Sequence, residues 1–142
     1  MENKILTYDS VEISFDGKAV VHDVSFSLVP GEILGLVGES GSGKSTLINL
    51  IPRFYDATEG SVKVDGVDVR KMTQKDVRDR IGYVPQKGVL FSGTIDSNIR
   101  YGKTEISEDA VKKAAQVAQA TEFIDTKPEG YDSPIAQGGS NV

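Results

Sequence analysis

The residues whose types and spacing most plainly carry chemistry form one short run. Gly38-Glu-Ser-Gly-Ser-Gly-Lys44-Ser45 matches G-x-x-x-x-G-K-[ST] at every fixed position. A triphosphate needs this kind of loop. Glycines let the backbone curl so that successive N–H groups, at Ser40, Gly41, Ser42 and Gly43, converge on an anion. Lys44 can reach the β- and γ-phosphates, and the Ser45 hydroxyl can take a Mg²⁺ position. Thr46 follows in the first turn of the expected helix, whose dipole adds positive potential at the same end. Glu39 occupies a variable position and is expected to face solvent.

Other chemistries are excluded by what the chain lacks. It has no cysteine, so disulfides, thiolate nucleophiles and cysteine metal sites are absent. Its one histidine, His22, cannot form a cluster and reads as a surface residue. The formal net charge is −5, with no basic stripe, which argues against nucleic acid as a partner. No apolar run approaches the roughly 20 residues that span a bilayer, and no signal-peptide core follows the start. A cytoplasmic location is expected. Glycine, at 15 of 142 residues, exceeds the usual share of about 7% and points to loops that approach a ligand closely.

The elements that must position the loop follow from periodicity. Residues 5–15 alternate as a strand, with Val11, Ile13 and Phe15 on one side. Asp16-Gly17 turns the chain into a second strand over 20–29, and Pro30-Gly31 turns it again. Glu32-Ile-Leu-Gly-Leu-Val37 is apolar without alternation, the pattern of a parallel strand buried on both faces. After the loop, Leu47, Ile48, Leu50, Ile51 and Phe54 recur at helical spacing, with Pro52 closing the helix. Residues 61–69 read as a hairpin turning at Asp65-Gly66. Residues 76–80 read as a short polar helix, and 81–84 as a second buried strand ended by Pro85. Ser107 is a plausible N-cap for a helix presenting Ala110, Val111, Ala114, Ala115 and Ala118 on one face. A short helix is expected over 122–125, followed by a loop-like tail over 133–140.

Beyond the loop, the chain resembles the nucleotide-binding domain of ATP-binding cassette (ABC) transporters over nearly its whole length. The loop is similar to the family's Walker A motif. Tyr83-Val-Pro-Gln86 resembles its Q-loop, which implies that Gln86 approaches Mg²⁺ and the attacking water. Val89-Leu-Phe-Ser-Gly-Thr-Ile-Asp-Ser-Asn-Ile-Arg-Tyr-Gly102 continues the resemblance into the helical subdomain. Phe15 falls where the family places an aromatic that stacks on adenine. The resemblance implies an α/β fold of the P-loop NTPase, ABC ATPase type. Residues 1–86 would supply the N-terminal part of the core, an antiparallel β-subdomain with the Walker A loop and the Q-loop strand. Residues 87–142 would supply the Q-loop exit and part of the α-helical subdomain. Implied ligands are ATP and Mg²⁺. Implied partners are a transmembrane domain and a second nucleotide-binding domain.

Two family dialects meet in the sequence. Residues 32–46 resemble the ATPase of a peptide importer. From Leu47-Ile-Asn-Leu-Ile-Pro-Arg-Phe-Tyr-Asp56 onward the chain resembles a multidrug or lipid exporter, as does Gly130-Tyr-Asp-Ser-Pro-Ile-Ala-Gln-Gly-Gly139. A chimera and ordinary divergence both account for the seam. The family's signature motif, Walker B aspartate, catalytic glutamate and switch histidine have no counterpart in these 142 residues. The expectations are therefore an incomplete sheet with unpaired edges, no catalytic residue of its own, and nucleotide binding without turnover. An alternative reading is a nucleotide-binding module that pairs with a copy of itself. A different P-loop enzyme such as a kinase leaves Tyr83–Gln86 and Val89–Gly102 unexplained.

Overall fold

The computed structural model describes residues 3–103 and 105–141, which divide into two compact units meeting between Tyr83 and Val84. The first is built on a four-stranded antiparallel sheet. β1 (Leu6–Phe15) lies between β2 (Lys18–Leu28) and β3 (Glu59–Val64), and β4 (Val67–Asp68) pairs with β3 at the edge. Asp16 and Gly17 take positive φ in the β1–β2 turn, and Asp65 and Gly66 do so in the β3–β4 turn, as their sequence signals require.

Strict alternation does not hold along β1. The buried residues are Tyr8, Val11 and Ile13, a spacing of three and then two. A bulge at Ser10, whose φ is 44°, restores the phase, and the register with β2 shifts between Tyr8 and Val11. The bulge constrains β3 as well. A Cβ at Gly60 would lie 2.2 Å from the Ser10 carbonyl oxygen and 2.4 Å from that of Asp9, so only glycine fits there.

Two short helices, α1 (Lys44–Asn49) and α2 (Gln74–Asp79), supply Leu47 and Val77 to the core formed with Tyr8, Val11, Ile13, Val21, Val62 and Val64. α1 is shorter than its apolar spacing suggests: Leu47 and Leu50 are buried, but Ile48 and Phe54 are exposed. Thr73 caps α2, accepting from the Asp76 N–H at 3.1 Å.

One expectation is corrected. Residues 32–37 and 81–84 do not form buried parallel strands. Among the described residues no strand pairs with either, and Ile33 and Val37 are 95% and 98% exposed, with Val84 at 92%. An apolar run expresses a preference for burial, but a parallel strand also needs hydrogen-bonded neighbours. The strands described here pair only in antiparallel ladders.

The second unit holds β5 (Gly93–Thr94), α3 (Ile95–Ile99), α4 (Glu108–Val117), α5 (Thr121–Asp125) and β6 (Pro134–Ile135), with β5 and β6 forming a two-residue ladder. Ile95, Ala115, Ile124 and Ile135 make its core. Ser107 caps α4 as expected, but of the proposed apolar face only Val111 and Ala115 are buried. α3 was not legible as a helix. It starts in a capping box in which Thr94 and Ser97 exchange side-chain to backbone hydrogen bonds. Asn98 then clasps the preceding loop, accepting from the Phe91 N–H at 2.8 Å and donating to the Phe91 carbonyl at 2.9 Å. No helix of the described residues is long and apolar enough to cross a membrane.

Candidate nucleotide-binding site

The glycine-rich loop is positioned by the sheet on one side and by α1 on the other. Gly41 and Gly43 adopt φ of 82° and 88°, conformations that L side chains rarely reach. Gly43 also backs closely onto β2: an added Cβ would meet the Val20 carbonyl oxygen at 3.0 Å and Val21 Cγ2 at 3.1 Å. The helix begins at once, with the Leu47 N–H donating to the Gly43 carbonyl at 2.8 Å. No acidic residue lies in its first turn. At the other end of the loop, a Cβ on Gly38 would approach Ser42 Oγ to 2.9 Å.

Lys44 folds back over this loop. Its Nζ donates to the Gly38 carbonyl at 2.7 Å, to the Glu39 carbonyl at 2.6 Å and to Ser42 Oγ at 3.3 Å. The ammonium therefore sits at the mouth of the curled backbone, bonded to carbonyl and hydroxyl oxygens. No carboxylate competes for it in those contacts; Glu39 contributes its carbonyl and is exposed. Ser45 is exposed and Thr46 half-buried in the first turn of α1.

A residue outside the motif anchors the helix. The buried Tyr8 hydroxyl donates to the Leu47 carbonyl at 2.7 Å, and its ring stacks on Phe26 at 4.5 Å. Burial pushes the phenol well above its ordinary pKa, so it stays a donor. Sequence reasoning missed Tyr8, since an aromatic on a strand reads simply as core. Arg53 was missed too. At a φ of 56° it pairs with Asp56 at 2.8 Å and donates to the Met72 carbonyl at 3.1 Å, tying the segment after α1 to the turn before α2.

Phe15 ends β1 and is 40% exposed, packed edge-on against Tyr55 at 5.3 Å. It is therefore more open than a core aromatic. Gln86 lies in an exposed bend of the second unit. The structure thus gathers Ser40, Gly41, Ser42, Gly43, Lys44, Ser45 and Thr46 in one loop and helix start, with Phe15 on the same unit.

The loop suits a nucleoside triphosphate: glycines where a side chain would strain or clash, and an ammonium at the mouth. A magnesium ion accompanying it would find an oxygen donor in the Ser45 hydroxyl, which suits a hard cation. Among the described residues no cluster of three or more His, Asp or Glu side chains could hold a metal.

A family model described as "ABC transporter" matches residues 21–139. The chain belongs to the ABC transporter family. It corresponds to part of the ATP-binding domain of that family, and the family implies ATP binding. ABC relatives agree along nearly all of it. ATP-binding cassette sub-family B member 6 of Homo sapiens is 44% identical over 135 residues, 94% of this chain and 16% of the relative. The ATP-dependent lipid A-core flippase of Desulfotalea psychrophila is 39% identical over 137 residues, 96% of this chain and 24% of the relative. A solved bacterial Atm1-family ABC exporter with ATP bound superposes with a TM-score of 0.91 at 38% identity, covering 100% of this chain and 25% of that one. The chain thus spans about a sixth to a quarter of the ABC proteins it matches. The flippase and the exporter fall on the exporter side of the resemblance drawn for residues 47 onward.

Proposed function

We propose that this chain binds Mg-ATP through the loop of residues 38–46. The observation that carries the reading is the Lys44 ammonium held by the Gly38 and Glu39 carbonyls at the mouth of a loop with two left-handed glycines. Those contacts support the reading, since an ammonium at the mouth of the loop would attract a triphosphate. Exchanging carbonyl oxygens for charged phosphate oxygens strengthens each hydrogen bond that Lys44 makes. The amides of residues 40–43 and the first turn of α1 add donors around it. Ser45 is the proposed magnesium ligand. Phe15, with Tyr55 at its edge, is the proposed platform for the adenine ring.

Hydrolysis asks for more than binding. Phosphoryl transfer is catalysed almost wholly by positioning and charge stabilisation, including a residue that orients the attacking water. The reading assigns that role to no residue of loop 38–46 and keeps Gln86 as a ligand, so it gives this chain no catalytic residue and expects binding without turnover. In the longer proteins of the family, the proposal is that such a segment works with a transmembrane domain and a second nucleotide-binding domain on the cytoplasmic face. There it would couple ATP hydrolysis to transport.

The test is to compare ATP affinity with and without Mg²⁺ in the wild type and in Ser45→Ala. The reading expects Ser45→Ala to weaken binding of the magnesium complex and to leave metal-free ATP nearly unchanged. Equal weakening of both would remove Ser45 from the metal.

A second reading, a module that pairs with its own copy, draws on the exposure of Ile33 and Val37 in an apolar run that no described strand pairs with. Solution mass separates the two, since pairing through that run would give a dimer without nucleotide.

A further inference from the structure

We infer that Tyr8 is a positioning residue for the phosphate loop, acting through the Leu47 carbonyl; the inference rests on the proposed role of residues 38–46. α1 is only six residues long, and its hydrogen bonding loosens early. The Leu50 N–H reaches the Leu47 carbonyl at 3.2 Å, and the Ile51 N–H goes to Ile48 instead. The Leu47 carbonyl is thus weakly held by its own helix. Tyr8 supplies the shorter bond, 2.7 Å, from a side chain only 2% exposed.

The geometry connects this bond to the loop through a single residue. Leu47 donates its N–H to Gly43, the loop's last glycine, and accepts Tyr8 at its carbonyl. Gly43 in turn packs on Val20 and Val21 of β2. Tyr8 is paired in register with Phe26 of β2 and stacked on its ring, so its hydroxyl is aimed by the sheet rather than by α1. The β1–β2 hairpin therefore grips the loop and helix start at two points, by close contact at Gly43 and by hydrogen bond at Leu47. A helix this short gains little from its own cooperativity, so its placement depends on such tertiary contacts. Phe15, seven residues along β1 from Tyr8, shares the same strand. One strand would then fix both the phosphate end and the base end of the site.

Tyr8→Phe removes the hydroxyl and keeps the stacked ring. One lost buried hydrogen bond corresponds to a change of about fivefold. We expect affinity for ATP and for inorganic triphosphate to fall by the same factor, about three- to tenfold, at a temperature where the variant is fully folded. In the chain without nucleotide, amide hydrogen exchange should speed up at residues 44–50 and stay unchanged in β1 and β3. Val77→Ala, which opens the core from α2 and keeps both the hydroxyl and the ring stack, serves as a stability control: its melting temperature should fall without the selective exchange change.

Exchange that is unchanged by Tyr8→Phe, or faster uniformly across the unit, would overturn the inference and leave Tyr8 as ordinary core. So would unchanged triphosphate affinity in a variant of lower melting temperature. Wild-type protein that binds neither ligand would defeat the reading of the loop itself, and the exchange pattern would still decide whether Tyr8 positions it.

Discussion

The Tyr83 hydroxyl donates to Asn49 Oδ1 across 3.0 Å, joining residues 34 positions apart. Asn49 is the last residue of α1, the helix that Lys44 opens. The Tyr83 ring also meets Phe54 edge-on at 5.6 Å, and Arg78 lies over Phe54 while donating to the Pro52 carbonyl. The segment over 81–83 is not a strand, yet its tyrosine is tethered to the far end of α1. Tyr83→Phe should cost about 0.5 kcal/mol, the low end for a hydrogen bond that water can partly replace. A shift of the urea midpoint measures it, and a loss several times larger would mean that Tyr83 organises more than this contact.

Phe15→Ala should weaken ATP and hardly affect inorganic triphosphate. Stacking on a base contributes on the order of 1–3 kcal/mol. Phe15 is half open and touches Tyr55 edge-on, so its removal leaves little cavity. Competition binding with the two ligands separates the roles. If both weaken alike, Phe15 supports the fold and does not carry the base.

Gly60→Ala should destabilise the first unit by several kcal/mol, about 3 or more. Its φ is 73°, and a Cβ would strike two backbone carbonyls on β1 that cannot move without undoing the bulge. Thermal unfolding reads the loss. A variant as stable as the wild type would mean the β1–β3 crossing is not as close as described.

Acid should remove a contribution from Asp68. Hydrogen bonding to Arg70 holds this carboxyl below its ordinary value, and Asp68 also accepts from the Arg70 N–H at 2.9 Å. A lowered folded pKa means stability that is present at neutral pH and lost as pH falls through the folded value, here below about 4. Arg70 is partly exposed, so screening keeps the effect under about 1 kcal/mol. Asp68→Asn should flatten the stability profile below pH 4. An unchanged profile would mean that the pair contributes nothing measurable.

Local signals in the sequence carried well into the structure. Asp16-Gly17 and Asp65-Gly66 marked both hairpin turns, and Ser107 marked the start of α4, because each depends on a few adjacent residues. The loop over 38–45 was legible for the same reason. Residues 32–37 and 81–84 were not, because their burial depends on neighbours far away in the chain. The Ser10 bulge was hidden by an apparent alternation at Val11, Ile13 and Phe15. α3 was hidden by a serine at the capping-box position where glutamate is the usual signal. Tyr8 and Arg53 gave no signal at all, since each acts on a backbone carbonyl that only the fold brings near.

The account turns on Lys44, and calorimetric titration of Mg-ATP into the wild-type chain and into Lys44→Ala tests it most directly. Among the described residues the Lys44 ammonium bonds within its own loop, to Gly38, Glu39 and Ser42. Its removal should therefore leave the circular dichroism spectrum and melting temperature nearly unchanged. The predicted result is saturable binding by the wild type and none detectable by a folded Lys44→Ala. Equal affinity in the two proteins would contradict the assignment of residues 38–46 as the nucleotide site.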